Sequence, residues 1–261
     1  MKGLTAWITA VVMLCFSTFG YAQDISALVA KAQSNDAEAQ YELGEYYLDQ
    51  HDYAQAVVWY EKAANQGGDD INLKACAMTG ELYLGYGDVE EDVQRAEIYL
   101  EVAAKGDIPE AQYNLGWLHA NGKLRGEIDN KRARYWYTQA AENNYAPALF
   151  SLGLLHLRGG HGIEVNYTEA KKWFEAAAAE GDSRAEHNIA TMYYNGEGGP
   201  RNYKKAKQWY EKAAEHGQPE SMQAVGGIYQ DGLGVKRNRS KARAYFKQAC
   251  DAGLDDACNA H

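Results

Sequence analysis

The side chains that could do chemistry in this 261-residue chain are seven histidines, four cysteines and many carboxylates, 36 Asp and Glu against 26 Lys and Arg. A metal centre needs His, Cys or carboxylate ligands at converging offsets, as in His-Glu-x-x-His or paired Cys-x-x-Cys. Neither spacing occurs. A nucleophilic serine on a Gly-x-Ser-x-Gly turn and a phosphate-binding glycine loop are equally missing from the sequence. His119 and His156 stand 37 residues apart at equivalent places in the pattern described next. Helix packing would set them about 10 Å apart, too far to share an ion without a bridging group. Tyr replaces them in other copies, which reads as a polar-tipped packing position. No catalytic residue, metal site or cofactor is therefore expected.

The elements that must position these side chains repeat. Ala, two residues, an aromatic, a second large apolar residue, two residues and a small pair recur six times. The first Ala falls at Ala56, Ala96, Ala133, Ala170, Ala206 and Ala242, in steps of 40, 37, 37, 36 and 36 residues. Three residues on stand Trp59, Tyr99, Trp136, Trp173, Trp209 and Tyr245, followed by Tyr60, Leu100, Tyr137, Phe174, Tyr210 and Phe246. A second pattern precedes each copy. Small residues stand at Gly44, Gly80, Gly116, Gly153, Ala190 and Gly226, and three residues later come Tyr47, Tyr83, His119, His156, Tyr193 and Tyr229. Offsets of three to five are helical, so each unit is a hairpin of helix A and helix B. Glycine costs about 1 kcal/mol against Ala inside a helix. Its recurrence implies a backbone approached too closely for a side chain.

Punctuation agrees with this division. Gly67, Gly106, Gly181, Gly217 and Gly253, with Asn144 once, are expected to end helix B in a left-handed cap. Pro109, Pro147 and Pro219 open helix A, where a missing N–H costs nothing. Units of fewer than 40 residues must stack to complete a core. The expected fold is an all-α αα-hairpin repeat solenoid, with units near 36–67, 72–106, 108–144, 145–181, 182–217 and 218–253 and a half-unit at 254–261.

The stretches AEAQYELGEYY, AQYNLGWLHANG, KAKQWYEKAAEHG and KARAYFKQAC resemble Sel1-like repeats, relatives of tetratricopeptide repeats, across about residues 36–253. The first unit departs from the pattern: 15 residues separate Gly44 from Trp59, where the others have 19 or 20. The resemblance implies a right-handed superhelix acting as an adaptor, with helix A lining a concave groove for a protein or peptide. Tyr47, Tyr83, His119, His156, Tyr193 and Tyr229 become the candidate contacts, since Tyr offers a large area at low entropy cost. It also implies an envelope role in bacteria, with an exopolysaccharide-assembly or glycan-binding factor as the alternative. A β-lactamase-like enzyme is a lesser one, for which no nucleophile or metal constellation is present. In cysteine-rich relatives a bridge of this spacing ties helix B to the next helix A, which would pair Cys250 with Cys258. Cys76, whose partner position holds Ala64, would stay reduced and partly buried. The alternative for all three is a small core filler.

Residues 1–22, with Lys2, an apolar run to about Phe16 and Gly20-Tyr21-Ala22, have the layout of a secretory signal cut before Gln23. A retained anchor is the alternative, although the run is short for a span of about 20 residues. The expected product is a soluble, monomeric protein of the periplasm or beyond. A net charge of −10 disfavours nucleic acid as a partner. The charge is uneven: residues 23–128 carry −13 and residues 199–261 carry +4. Arg201, Lys204, Lys205, Lys207, Lys236, Arg237 and Arg239 form a candidate basic patch for an acidic protein or an anionic glycan.

Overall fold

The computed structural model describes residues 25–67 and 69–259. The proposed leader, residues 1–22, lies outside them. The described residues form helices joined by turns, with one isolated bridge between Gly160 and Ile163. Residues 25–33 form α1. Six hairpins follow: α2 (Ala37–Asp49) with α3 (Tyr53–Ala64), α4 (Asp70–Leu82) with α5 (Val93–Lys105), and α6 (Pro109–Ala120) with α7 (Asn130–Glu142). Then come α8 (Ala146–Arg158) with α9 (Tyr167–Ala179), α10 (Ser183–Asn195) with α11 (Tyr203–Glu215), α12 (Pro219–Asp231) with α13 (Arg239–Asp251), and a last turn, α14 (Asp255–Cys258). The chain divides into two compact units, one ending at Leu115 and the other starting at Gly116. Among the described residues no helix is long and apolar enough to cross a membrane.

The mid-helix glycines meet one side chain each. A Cβ on Gly44 would sit 2.6 Å from the Tyr60 ring, on Gly80 2.6 Å from Leu100, on Gly116 2.5 Å from Tyr137, on Gly153 2.5 Å from Phe174 and on Gly226 2.7 Å from Phe246. These partners are the second large residue of each helix B, and all five are buried. The first aromatic of each pair, from Trp59 to Tyr245, is only half-buried. The period thus places the second large residue of each pair in the core and leaves the first at its edge.

Each hairpin also closes through one repeated backbone bond that the sequence reading missed. Helix B is capped by Asp52, Asp92, Asp129, Asn166, Asn202 and Asn238, whose side chains accept the N–H three residues on at 3.0–3.1 Å. Such a cap contributes about 1 kcal/mol. The N–H of each capping residue in turn donates to the carbonyl of Tyr47, Tyr83, His119, His156, Tyr193 or Tyr229, at 2.8–2.9 Å. An Asp or Asn four residues before each first Ala was the available signal.

Two further features differ from the expectation. Gly106 does not take the left-handed cap; Asp107 does, at φ 61°, while the other expected residues have positive φ. Gly106 is there for space, because a Cβ would lie 2.4 Å from Leu73 Cδ1. The second is α1, a helix ahead of the first unit. Its Ala32 is buried and offers its carbonyl to Gln40 Nε2 at 3.0 Å, as Ala104 does to Gln112 at 3.1 Å. It therefore occupies a helix B place without the aromatic pair that marks the others.

Gly226 and Gly227 are neighbours in α12, and a Cβ on Gly227 would have nothing within 4 Å. Gly227→Ala should stabilise by about 0.5–1 kcal/mol through helix propensity. Gly226→Ala should destabilise by about 1–3 kcal/mol through overpacking against Phe246. Urea unfolding of the two variants reads the opposite signs directly.

Candidate functional site

The position after a buried small residue of helix A (Ala39, Ala75, Ala111, Ala257) faces the helix B before it. In the first unit Gln40 and Gln112 reach back to helix B carbonyls, and the Cys76 sulfur lies 3.9 Å from the Ala64 carbonyl oxygen. In the second unit Cys258 holds this place and is bonded to Cys250. Cys76 is free and buried, and burial pushes its thiol up to about 11, so it is protonated and inert at neutral pH. Glu186, at the same position, is fully buried and faces forward instead. Lys212 Nζ of α11 lies 2.9 Å from one oxygen and Nδ1 of His216, which caps the C-terminus of α11, lies 2.8 Å from the other. A carboxylate so far from water requires such partners.

The six candidate contact residues do not behave alike. Tyr83, His119 and Tyr229 are 8%, 7% and 9% exposed and pack inward, which leaves little area for a partner. Tyr47, His156 and Tyr193 are half-buried. Tyr83 stacks on Tyr99 at 6.3 Å, donates to Glu61 at 2.8 Å and accepts from Arg95 at 2.8 Å. Tyr47 packs edge-on against Tyr46. Burial lowers the pKa of His156, Glu169 opposes that shift and Arg134 adds to it. The shared job of these residues is hairpin closure through their carbonyls; side-chain exposure is secondary. Among the described residues no group of three or more His, Cys, Asp or Glu could hold a metal ion.

The basic residues, clustered in sequence at 201–207 and 236–239, are distributed by the fold. Arg201 turns onto Tyr203, donating to its hydroxyl at 3.0 Å. Arg237 and Arg239 line a pocket at α12–α13 with Arg243, Gln230 and Phe246, whereas Lys204 and Lys236 are simply exposed. Lys205 and Lys207 leave α11 toward different neighbours. Lys205 Nζ stands 5.2 Å from the Tyr193 ring centre, with Lys171 of α9 at 4.1 Å. Lys207 Nζ stands 5.3 Å from the Tyr229 ring centre, with Lys241 of α13 at 5.1 Å. Lys171 was missed as a site residue; its signal was its place directly after Ala170, matching Lys207 after Ala206.

A chain of tandem αα-hairpins fastened by recurring small–large contacts is a helical repeat protein. The Sel1 repeat model matches residues 37–68, 73–107, 109–145, 146–182, 183–218 and 219–254, and the chain belongs to that family. It is similar to a Sel1 repeat protein from Oxalobacter formigenes, with 28% identity, a TM-score of 0.70 and coverage of 83% of this chain and 86% of that one. A protective antigen of uropathogenic Escherichia coli strains, displaying an SLR fold, matches at 26% identity and a TM-score of 0.50, over 89% of this chain and 57% of that one. HRD3B of Arabidopsis thaliana, an ERAD-associated E3 ubiquitin-protein ligase component, is 29% identical over 106 residues. That match spans 38% of this chain and only 16% of the curated relative. Sel1 repeat proteins are generally protein-interaction scaffolds, typically without catalysis.

Two expectations follow from these placements. Ala64→Cys should bond to Cys76 under oxidising conditions, because the pair matches Cys250 and Cys258 in register, and should stabilise by about 2–3 kcal/mol. Thiol titration should then fall to none in the oxidised variant, against one in the unfolded parent. His187, whose Nδ1 lies 2.8 Å from Ser221 Oγ, has a pKa lowered by burial, with Glu220 opposing. The unfolded chain then binds more protons, so stability is complete above about pH 6.5 and falls as pH drops toward the folded value. Thermal melts between neutral and mildly acidic pH should show this loss, with a shallower slope for His187→Gln.

Proposed function

We propose that this chain is a non-catalytic scaffold of the bacterial envelope that holds a protein or peptide partner along the helix A face of its repeats. The observation that carries the reading is periodic presentation. Within the second unit, the half-buried Tyr193 of α10 and the buried Tyr229 of α12 occupy the same position of successive hairpins, and each ring carries at its edge lysines of the flanking helices B, Lys205 and Lys241 among them exposed. A surface that repeats along its length suits an extended partner better than one small substrate. The scaffold role general to Sel1 repeat proteins supports it.

The compartment reading rests on two supports. Residues 1–22 have the order of a secretory signal: cation, apolar run, small residues. The Cys250–Cys258 bridge suits an oxidising compartment, where such bonds persist.

Protein recovered from the native envelope fraction should start at Gln23 by intact mass and titrate one thiol on unfolding. Crosslinking there should capture a specific protein, competed by excess unlabelled chain. Absence of any specific partner, together with measurable turnover of a substrate such as nitrocefin, would overturn the scaffold reading.

A further inference from the structure

Lysine and tyrosine alternate across five consecutive helices of the second unit. From α9 to α13 the order is Lys171, Tyr193, Lys205, Lys207, Tyr229 and Lys241, all six engaged in ammonium–ring contacts of 4.1–5.3 Å. Each ring is bracketed by two lysines, one from the helix B before it and one from the helix B after. The lysine from the helix B before each ring is neutralised: Lys171 lies 3.9 Å from Glu175, and Lys207 lies 2.6 Å from Glu211. Lys171 also donates to the Tyr193 hydroxyl at 2.5 Å. The lysine from the helix B after each ring is different. Lys205 and Lys241 are exposed, and among the described residues neither has a carboxylate within salt-bridge distance.

Those two ammonium groups are therefore uncompensated yet held. Contact with a ring face restricts a side chain that would otherwise sample many rotamers, so less entropy is lost when an anion arrives. The same position in the first unit keeps the ring contact, with the Arg95 guanidinium 5.3 Å from the Tyr83 ring centre, but there the cation lies 3.9 Å from Glu61 and 3.6 Å from Asp92. Ring-held cations without a carboxylate partner distinguish Lys205 and Lys241 from Arg95.

We propose that this row binds an extended acidic peptide segment of a partner protein, with carboxylates on Lys205 and Lys241 and the chain lying across the half-buried edge of Tyr193, while the buried Tyr229 holds Lys241 from beneath. The proposal rests on the scaffold reading and adds the chemistry of the partner. Charge complementarity selects the acid, and the aromatic edge between the ammonium groups suits peptide backbone or aliphatic groups. Lys205 and Lys241 stand at equivalent positions of α11 and α13, one repeat apart. An extended chain with carboxylates repeated along its length can present one to each.

The probe is a fluorescein-labelled Glu-Gly-Ala repeat peptide, measured by anisotropy against the full mature chain. The wild type should bind it in a salt-sensitive manner. Lys205→Glu with Lys241→Glu should weaken binding by about tenfold or more. Lys204→Glu with Lys236→Glu changes net charge equally, and these lysines make none of the row's ring contacts; this pair should weaken binding by less than about threefold. Circular dichroism melts confirm folding of both variants. Equal weakening by the two pairs, no weakening by the first pair, or no peptide binding at all overturns the proposal. So does row-dependent binding of polygalacturonate in place of the peptide. A partner captured equally well by wild type and by the Lys205→Glu, Lys241→Glu variant refutes the row while leaving the scaffold reading intact.

Discussion

The rest of the structure depends on the contact between a bare backbone position on helix A and a large side chain on helix B. Gly153 against Phe174 and Gly44 against Tyr60 show its form: the place of a missing Cβ is filled by a ring that is itself buried. The helix gives up about 1 kcal/mol of propensity at each glycine. Burying a ring of this size returns more, roughly 1.5–3 kcal/mol. Once that contact fixes the distance between the helices, the small pairs such as Ala177 and Ala178 are buried as well. A single hairpin has only one face to bury, so the gain becomes cooperative only with neighbours.

Hairpin closure and hairpin stacking use different residues, and this separation explains how the face can vary. Closure relies on the backbone: a carbonyl at Tyr47, Tyr83, His119, His156, Tyr193 or Tyr229 accepts the N–H of an Asp or Asn cap. The bond is indifferent to the side chain, so histidine can replace tyrosine without cost to the turn. Stacking uses the position after the buried small residue of helix A, where an amide at Gln40 or Gln112 or a disulfide at Cys258 does the fastening. The side chains at the closure position are thereby released to differ between units. In the first unit Tyr83 is bound up with Glu61, whereas in the second Tyr193 and Tyr229 hold lysines.

Charge acquires its meaning through the same arrangement. A count of lysines between residues 199 and 247 suggests one basic cluster. The helix distributes them otherwise, because Lys205 and Lys207 are two residues apart and so emerge on different sides of α11. Each joins a lysine from a neighbouring helix B. Lys171 and Lys207 meet glutamates of their own helices, whereas Lys205 and Lys241 have no carboxylate within salt-bridge distance among the described residues. A surface of this kind contributes to encounter and to choice of partner more than to bare affinity.

The helical repeat and the small–large pairing were legible from the sequence, because an offset of three to five and a period of 36 to 40 are properties of a one-dimensional pattern. Features without such a pattern were not. α1 carries no aromatic pair, and Asp107 rather than Gly106 takes the left-handed turn because Leu73, distant in sequence, fills the space beside the glycine. The burial of Tyr83, His119 and Tyr229, and the meeting of Lys171 with Lys205 at one ring, were likewise decided by tertiary structure. Local sequence sets which helix face a residue occupies. Only the packing of the adjacent hairpin decides whether that face meets a ring, an acid or water, and it is this choice that separates a core tyrosine from a contact surface.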